Sequence, residues 1–354
     1  MRRGAERTVR DLADGLIARG HSPRLVTSHR GLPSRTTEDG LPVTRHWRPP
    51  DGRLRRRRYE DYLTHVPFSY LSLRLGEDEI AHAHYPTDAL AAARWSRRTG
   101  RPSILTYHGI PSHAGLVERR LRVPILLRAA AGCDALTVVS DAAAAAFRRW
   151  LGLEARVVHP GVDLAAFAPA EAREPGPTIL CPAPIEEARK RVELAVRALP
   201  LVRRERAHVR LQLLRPREAA LAQRLASEPG VELVEPVEEP RELAPLYARA
   251  SAVVLPAVAE ALGLVLVEAL ACGTPVVGRD ADGIPEVIDS DAIGRLFDGD
   301  DERGLARAML EVLELAEDPS TPDACRRRAE DFSVERMVEG YETLYRELLE
   351  SRGR

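Results

Sequence analysis

Residues 256–278 read PAVAEALGLVLVEALACGTPVVG, and this stretch decides the fold. A strand ends at Pro256, a short loop carries Glu260, and a helix begins near Leu262, with Gly263 allowing close approach to the backbone. The next strand follows at 275–277. The unpaired N–H groups of Ala261, Leu262, Gly263 and Leu264, aided by the helix dipole, would form an anion site suited to a diphosphate. Glu260 and Glu268 stand eight apart, and at ~1.5 Å rise per residue their carboxylates are separated by up to ~12 Å. A glycosidase acid/base pair needs ~5–9.5 Å. The longer span suits a ligand with a sugar at one end and a ribose at the other. Acidic pairs at this spacing are common by chance in a chain with 53 Asp and Glu, so the context carries the reading. The plain alternative is a strand-loop-helix unit with two solvated glutamates.

Outward from this stretch, short β-branched runs alternate with amphipathic helical stretches, the pattern of doubly wound α/β layers. Strands are expected at 24–27, 42–46, 80–84, 103–107, 135–139 and 156–159, with helices at 5–19, 87–99, 115–131 and 141–151. A second series has strands at 178–181, 209–214, 231–234, 252–255, 275–277 and 295–297, and helices at 302–316, 322–330 and 334–350 close the chain. The Pro-rich segment 167–177 reads as a linker. The expected domains are 1–170, 171–332 and a terminal helix over 333–354 that packs back on the first.

The first domain has a defect. A doubly wound sheet starts with a strand that feeds a glycine loop and the first helix. Here Arg3-Gly4-Ala5-Glu6 already lies in that loop, so the domain is expected to lack its first strand, through a misassigned initiating Met or a true absence. Its neighbours then lose backbone partners, at ~1–3 kcal/mol for each buried hydrogen bond left unmade.

Composition agrees with two domains at ~100–200 residues each. The 354 residues are 44% hydrophobic and 30% charged, enough for sizeable cores and against disorder. No apolar stretch approaches the ~20 residues that span a bilayer. The opening MRRGAERTVRDLADGL has no apolar h-region, which argues against a secretory signal and for the cytoplasm. Cys133, Cys181, Cys272 and Cys325 lie far apart and read as reduced, mostly buried thiols. The net charge of −1 hides +10 over residues 1–170 and −11 over the rest. Lys190 is the sole lysine among 52 basic residues; the arginine bias reads as genomic, and the retained ammonium as functional.

The Glu260-x7-Glu268 segment runs into Ala269-Leu270-Ala271-Cys272-Gly273-Thr274-Pro275-Val276-Val277. Downstream stand Asp282-Gly283-Ile284-Pro285-Glu286-Val287 and Ile293-Gly294-Arg295-Leu296. Upstream are Gly4-Ala5-Glu6, Ala18-Arg19-Gly20-His21, Thr106-Tyr107-His108-Gly109 and Pro160-Gly161-Val162-Asp163. Together these blocks resemble the retaining GT-B glycosyltransferases of family 4, or glycosyltransferase group 1, over essentially the whole chain. The resemblance implies two Rossmann-like, doubly wound parallel-sheet domains facing a cleft. It implies a hexosyltransferase that takes a UDP- or GDP-linked sugar as substrate, held mainly by the second domain, with no cofactor. A hydroxyl acceptor (glycan, lipid-linked or small molecule) would be held mainly by the first, with roles in cell-envelope or polysaccharide synthesis.

Carried over residue by residue, Glu268 binds the donor ribose and Glu260 contacts the transferred sugar. The N–H groups at Leu262, Gly263 and Leu264 meet the pyrophosphate or sugar, and Arg189 with Lys190 neutralises the diphosphate leaving group. His108 hydrogen-bonds the donor sugar near its anomeric centre, and Gly4 matches the glycine loop near the phosphates. The chain departs from the family at Pro182-Ala183-Pro184 and Arg189-Lys190, where Gly-Arg and a later Lys-Gly are usual. It also has Leu262 for Phe, Ala257 for Ser, and Glu235-Pro236 where a glycine is expected. A catalytically silent carbohydrate- or partner-binding homologue and a nucleotide-sugar epimerase therefore stay open as alternatives.

Other features read more plainly. His82 and His84 alternate on one strand and are expected to face opposite sides and to serve structure. The D-x-D patterns Asp280-Ala281-Asp282, Asp289-Ser290-Asp291 and Asp298-Gly299-Asp300 sit in turns, where Asp is favoured for local bonding, and no metal site is expected. The Arg55–Arg58 run with Tyr59, Tyr62 and Phe68 reads as a solvated charge cluster or as a docking surface for anionic lipid on the inner face of a membrane. Nucleic-acid binding is not expected, since the second half is acidic and no recognition motif is present.

Overall fold

The structure is a computed structural model that describes residues 4–48, 62–169, 176–237 and 239–352. Contacts divide the chain into two units: Ala5–His159 with Glu335–Arg354, and Pro160–Val334 with Met1–Gly4.

The first unit runs α1 (Gly4–Ala18), β1 (Leu25–His29), β2 (Ser34–Glu38), β3 (Leu41–Trp47), α2 (Val66–Arg74), β4 (Ala81–Ala83), α3 (Pro86–Thr99) and β5 (Ser103–Tyr107). It continues with α4 (His113–Val117), α5 (Arg122–Gly132), β6 (Ala135–Val138), α6 (Asp141–Leu151) and β7 (Arg156–Val157). Among the described residues its strands form two sheets, β1-β3-β2 and β4-β5-β6-β7, parallel except for β2 against β3. Among the described residues β1 and β4 are both edge strands, and none joins the two sheets.

The second unit contains β8 (Thr178–Cys181), α7 (Val192–Glu205), β9 (Arg210–Leu214), α8 (Ala219–Ala226), β10 (Val231–Val234), α9 (Pro240–Arg249) and β11 (Ala252–Leu255). It ends with α10 (Leu264–Ala271), β12 (Val276–Arg279), β13 (Gly294–Phe297), α11 (Glu302–Leu315) and α12 (Thr321–Glu330). One all-parallel sheet, ordered β10-β9-β8-β11-β12-β13, carries it. Strands β8 and β11 are buried at every residue, as expected of strands covered by helices on both faces.

The last helix, α13 (Val334–Arg352), belongs to the first unit apart from its opening residue. Tyr341 and Tyr345 hydroxyls bond Thr106 Oγ1 at 3.1 Å and His82 Nδ1 at 2.8 Å, and Glu342 pairs with Arg19 at 2.6 Å.

Three local readings need correction. Strand β2 was not expected; its Ser-Arg-Thr-Thr-Glu sequence is polar, but Asp39 and Gly40 at φ 47° and 83° make the tight turn that pairs it with β3. Helix α2 was also unforeseen. The helix expected over 115–131 is two, because Pro124 has no N–H to give a helix interior and is accommodated in the first turn of α5. Residues 170–175 of the expected linker, and Arg55–Arg58 with Tyr59, lie outside the described residues.

Candidate functional site

In the second unit, successive strands step away in opposite directions from β8 and β11, which are hydrogen-bonded neighbours. Ligands of open α/β sheets bind at such a switch point, beyond the carboxyl ends of the strands. The loops that follow these two strands carry Arg189, Lys190 and Glu260.

They are knitted together. The backbone N–H of Val258 donates to the carbonyl of Arg189 at 2.8 Å. Lys190 Nζ lies 2.7 Å from Glu260 Oε2, and Arg189 Nη1 reaches the same oxygen at 3.1 Å. Lys190 and Glu260 side chains are each only 14% exposed, whereas Arg189 is 45% exposed and also meets Glu187. Arg191, in the left-handed region at φ 53°, closes the short turn Ala188–Lys190 and turns its own guanidinium away to Asp300. The two cations share Glu260, and Arg189 divides its guanidinium between Glu260 and Glu187, so the positive charge of Lys190 and Arg189 is balanced at the strand ends until a ligand competes for it.

Helix α10 starts two residues later than the sequence suggested, at Leu264, because Gly263 at φ 94° is still turning the chain. The first described bond of this turn is Leu266 N–H to Gly263 C=O, 2.8 Å. Among the described residues the N–H groups of Leu262, Gly263, Leu264 and Val265 have no acceptor, so the expected row of amide donors is formed, at the positive end of the helix.

The downstream block Asp282-Gly283 supports this loop. Asp282 accepts from Ala259 N–H at 2.8 Å, holding Ala259 at φ 51°. Gly283 N–H donates to the Glu260 carbonyl at 3.0 Å, and a Cβ at Gly283 would fall 2.0 Å from the Ala261 carbonyl oxygen. Asp298 likewise bonds Gly299 N–H in its own turn.

Glu268 does not join the Arg189–Lys190–Glu260 cluster in any described bond. It is 1% exposed on α10, and Tyr247 of α9 donates its hydroxyl to Oε2 at 2.6 Å. Tyr247 is fixed in turn by Thr274, whose hydroxyl donates to its carbonyl at 2.8 Å. The sequence reading missed Tyr247, which no spacing connects to the helix 21 residues on.

Gly4 is the first residue of α1 and is grouped with the second unit, the rest of that helix with the first. His108 follows β5 and shares a 3.0 Å hydrogen bond through Nε2 with Nδ1 of His84. His84 and His82 rings lie 4.2 Å apart, so the expectation that they face opposite sides is wrong: residues two apart on a strand share a face. His82 Nε2 also meets Thr106 Oγ1 at 2.6 Å. Burial is the main cause that lowers all three, His82 to about 3, His108 to about 4 and His84 well below the ordinary value, so all are neutral near pH 7. Past the ends of β3 and β4, Arg48, Tyr62, Tyr85 and Asp88 line the end of a cavity with His65, which is 3% exposed and makes no hydrogen bond at either ring nitrogen. None of these except Tyr62 was singled out from sequence, because five scattered polar positions form no motif.

Of the four thiols, Cys133 is half-buried and the other three buried, and burial pushes Cys181 and Cys272 up to about 12. Among the described residues no helix is long and apolar enough to cross a membrane.

Residues 2–166 match a family model described as Glycosyltransferase Family 4, and residues 176–315 match one described as Glycosyl transferases group 1. A D-inositol 3-phosphate glycosyltransferase of Arthrobacter sp. strain FB24 is 29% identical over 356 residues, spanning 88% of this chain and 82% of the relative. A protein of the same name from Streptomyces avermitilis is 29% identical, spanning 73% of this chain and 63% of the relative. Among solved structures, sucrose-phosphate synthase from Thermosynechococcus elongatus superposes with a TM-score of 0.84 at 22% identity, covering 99% of this chain and 94% of that one. Anabaena HepE in complex with UDP and glucose gives 0.71 at 18% identity, covering 97% and 96%.

Proposed function

The chain belongs to the family 4 and group 1 glycosyltransferases, and on that premise we propose that it moves a hexose from a nucleotide-diphosphate sugar to a hydroxyl acceptor with retention of anomeric configuration. The observation that carries this reading is the meeting of Lys190, Arg189 and a row of free amide donors at the switch point of the second unit. Diphosphate is the leaving group, and stabilising its developing charge is the main electrostatic task of the transfer. Lys190 supplies a compact, part-buried cation, and Glu260 keeps it aimed until the sugar's hydroxyls compete for the carboxylate. The bond from sugar C1 to the phosphate oxygen breaks, a bond from C1 to the acceptor oxygen forms, and the acceptor's proton passes to the departing phosphate. In the first unit, His108 is neutral near pH 7 and is held by its hydrogen bond to His84.

For the acceptor, the polar end of the cavity with Arg48, His65 and Asp88 is the best-supported pocket, being at the carboxyl ends of β3 and β4. An inositol phosphate is the first acceptor to test, since proteins named for it are the relatives above. The reaction belongs in the cytoplasm, beside a membrane: Phe68, Leu71 and Leu75 are 39%, 47% and 72% exposed along α2 and its cap, close in sequence to the Arg55–Arg58 run. Co-sedimentation with anionic vesicles, lost with neutral ones, checks that contact.

The test of the main reading is calorimetric titration with UDP and GDP, followed by transfer from labelled UDP- and GDP-glucose to an acceptor panel. NMR of the product reads the anomeric configuration. Binding of one nucleotide that Lys190→Ala weakens, with acceptor-dependent product, supports the proposal. Absence of binding by either nucleotide leaves the silent-homologue alternative standing in its place, and conversion of the donor sugar without acceptor points to the epimerase.

A further inference from the structure

The polar end of the first unit's cavity gathers buried groups that the described residues leave unsatisfied. Arg48, Tyr62, His65, Ser69, Tyr85 and Asp88 line it. His65 closes the short turn Leu63–His65 ahead of α2, is 3% exposed, and has no hydrogen-bond partner at Nδ1 or Nε2. Asp88, in the first turn of α3, accepts from Ser69 Oγ at 3.0 Å. Its Oδ1 stops 3.6 Å from His65 Nε2, too far for a hydrogen bond. Thr64 Oγ1 and Thr87 Oγ1, next in sequence to these two residues, are buried without partners as well. A buried polar atom left unpaired has lost its water for nothing, so a concentration of them beside a cavity marks a place that a ligand's polar groups fill. The walls are braced: the rings of Tyr62 and Tyr85 lie 5.2 Å apart, that of His46 lies 5.9 Å from His65, and the Arg48 guanidinium stands 5.6 Å over Tyr62.

We infer that this pocket holds its ligand by hydroxyls, one of them bridging His65 and Asp88, so that the end of the acceptor seated here is a neutral polyol and not a phosphate. The assignment rests on the acceptor pocket proposed above and names its chemistry. A hydroxyl oxygen ~2.8 Å from both His65 Nε2 and Asp88 Oδ1 fits the 3.6 Å gap, and it gives a proton to the carboxylate while accepting one from the ring. Burial leaves both partners ready for that at pH 8: His65, lowered to about 4, is a neutral ring with one N–H, and Asp88, raised to about 6, is ionised. A phosphate can accept from His65 but is repelled by Asp88. The positive end of α3, where an anion would otherwise settle, is already taken by that carboxylate, and Pro86 offers no N–H there. An ammonium group would suit Asp88 yet meet Arg48 on the same wall. An inositol phosphate would therefore enter with ring hydroxyls toward Asp88 and its phosphate turned away.

The test follows the His65 ring nitrogens by NMR at pH 8 in the full chain labelled at histidine, with His65→Gln identifying their signals. Myo-inositol is expected to shift them, and inorganic phosphate to leave them unmoved. Asp88→Asn keeps the shape and removes the charge, so it should weaken myo-inositol binding by ~10-fold or more and admit phosphate. Far-UV circular dichroism identifies a variant that has not folded, in which case the titrations of the parent chain decide. Shifts with phosphate or with ethylammonium as large as those with myo-inositol overturn the inference. No shift with any of the three also overturns it and leaves the pocket to water. Transfer assays separate this assignment from the reading beneath it. Product formed on a hydroxyl acceptor while the His65 signals never move refutes the pocket and leaves the transferase standing; myo-inositol binding without transfer to any acceptor supports the pocket and counts against the transferase.

Discussion

At the residue scale, the site is a contest for one carboxylate oxygen. Lys190 and Arg189 both reach Glu260 Oε2, but Lys190 is the more buried and nearer of the two. Lys190→Ala should therefore lower the transfer rate by ~10²–10³-fold, in line with removing one preorganised donor from developing charge. Lys190→Arg should restore only part of it, because the guanidinium fork is larger and planar. Initial rates with labelled donor check both; equal rates for the parent and Lys190→Ala would remove the lysine from the chemistry. Tyr247→Phe makes a second prediction. The phenol donates to a carboxylate that is 1% exposed, so its loss should cost ~1–3 kcal/mol, visible as a lower Tm and weaker nucleotide binding. Unchanged values in both would mean that Glu268 needs no such support. Lys190 was legible in the sequence because it stands alone among arginines. Tyr247 was not, since its partner is chosen by how α9 lies against α10.

At the element scale, loops after strands set the chemistry, and glycine marks where they touch. Gly283→Ala pushes a Cβ against the Ala261 carbonyl, so it should displace the Glu260 loop and abolish nucleotide binding while the far-UV circular dichroism stays that of the parent. Retained binding would show that the loop tolerates the shift. The sequence displayed Asp282-Gly283 as a family block, but the reason for it, a turn that braces another turn, needs coordinates. The same limit explains β2, whose pairing depends on register, which composition does not carry; the His82–His84 error was one of alternation, since positions two apart on a strand share a face.

The buried histidines of the first unit give a pH prediction. His82 at about 3, and His65 and His108 at about 4, lie below the 6.5 of the unfolded chain. Between pH 6.5 and about 4 the unfolded chain binds more protons, so stability falls as pH falls through that window and is independent of these groups above it. Asp88, raised to about 6 chiefly by burial, acts oppositely between 6 and 3.8, but it is one group against several. Tm should drop steadily from pH 7 to pH 4.5, and a flat profile would contradict the buried placement of these rings.

At the scale of the whole molecule, the two units differ in how their cores are built. Among the described residues, the second has one continuous cluster under a six-stranded parallel sheet, while the first divides its apolar side chains between two clusters and two sheets. Hydrophobic burial is the main favourable term in folding, and a core broken into parts gains less from each added contact. The alternation of strands and helices in both units was legible in the sequence, whereas the division of the first unit's apolar side chains follows from which strands pair, which the sequence pattern does not carry. Amide exchange should accordingly be slower at β8, β11 and β12 than at β1 and β4, and thermal unfolding should begin in the first unit. A bound nucleotide at 100 times its Kd should add ~2.7 kcal/mol to the second unit and leave exchange at residues 25–29 unchanged. Mass-resolved exchange with and without nucleotide separates the two. Equal protection of both units, or stabilisation spread evenly over them, would show that the divided core costs the first unit nothing.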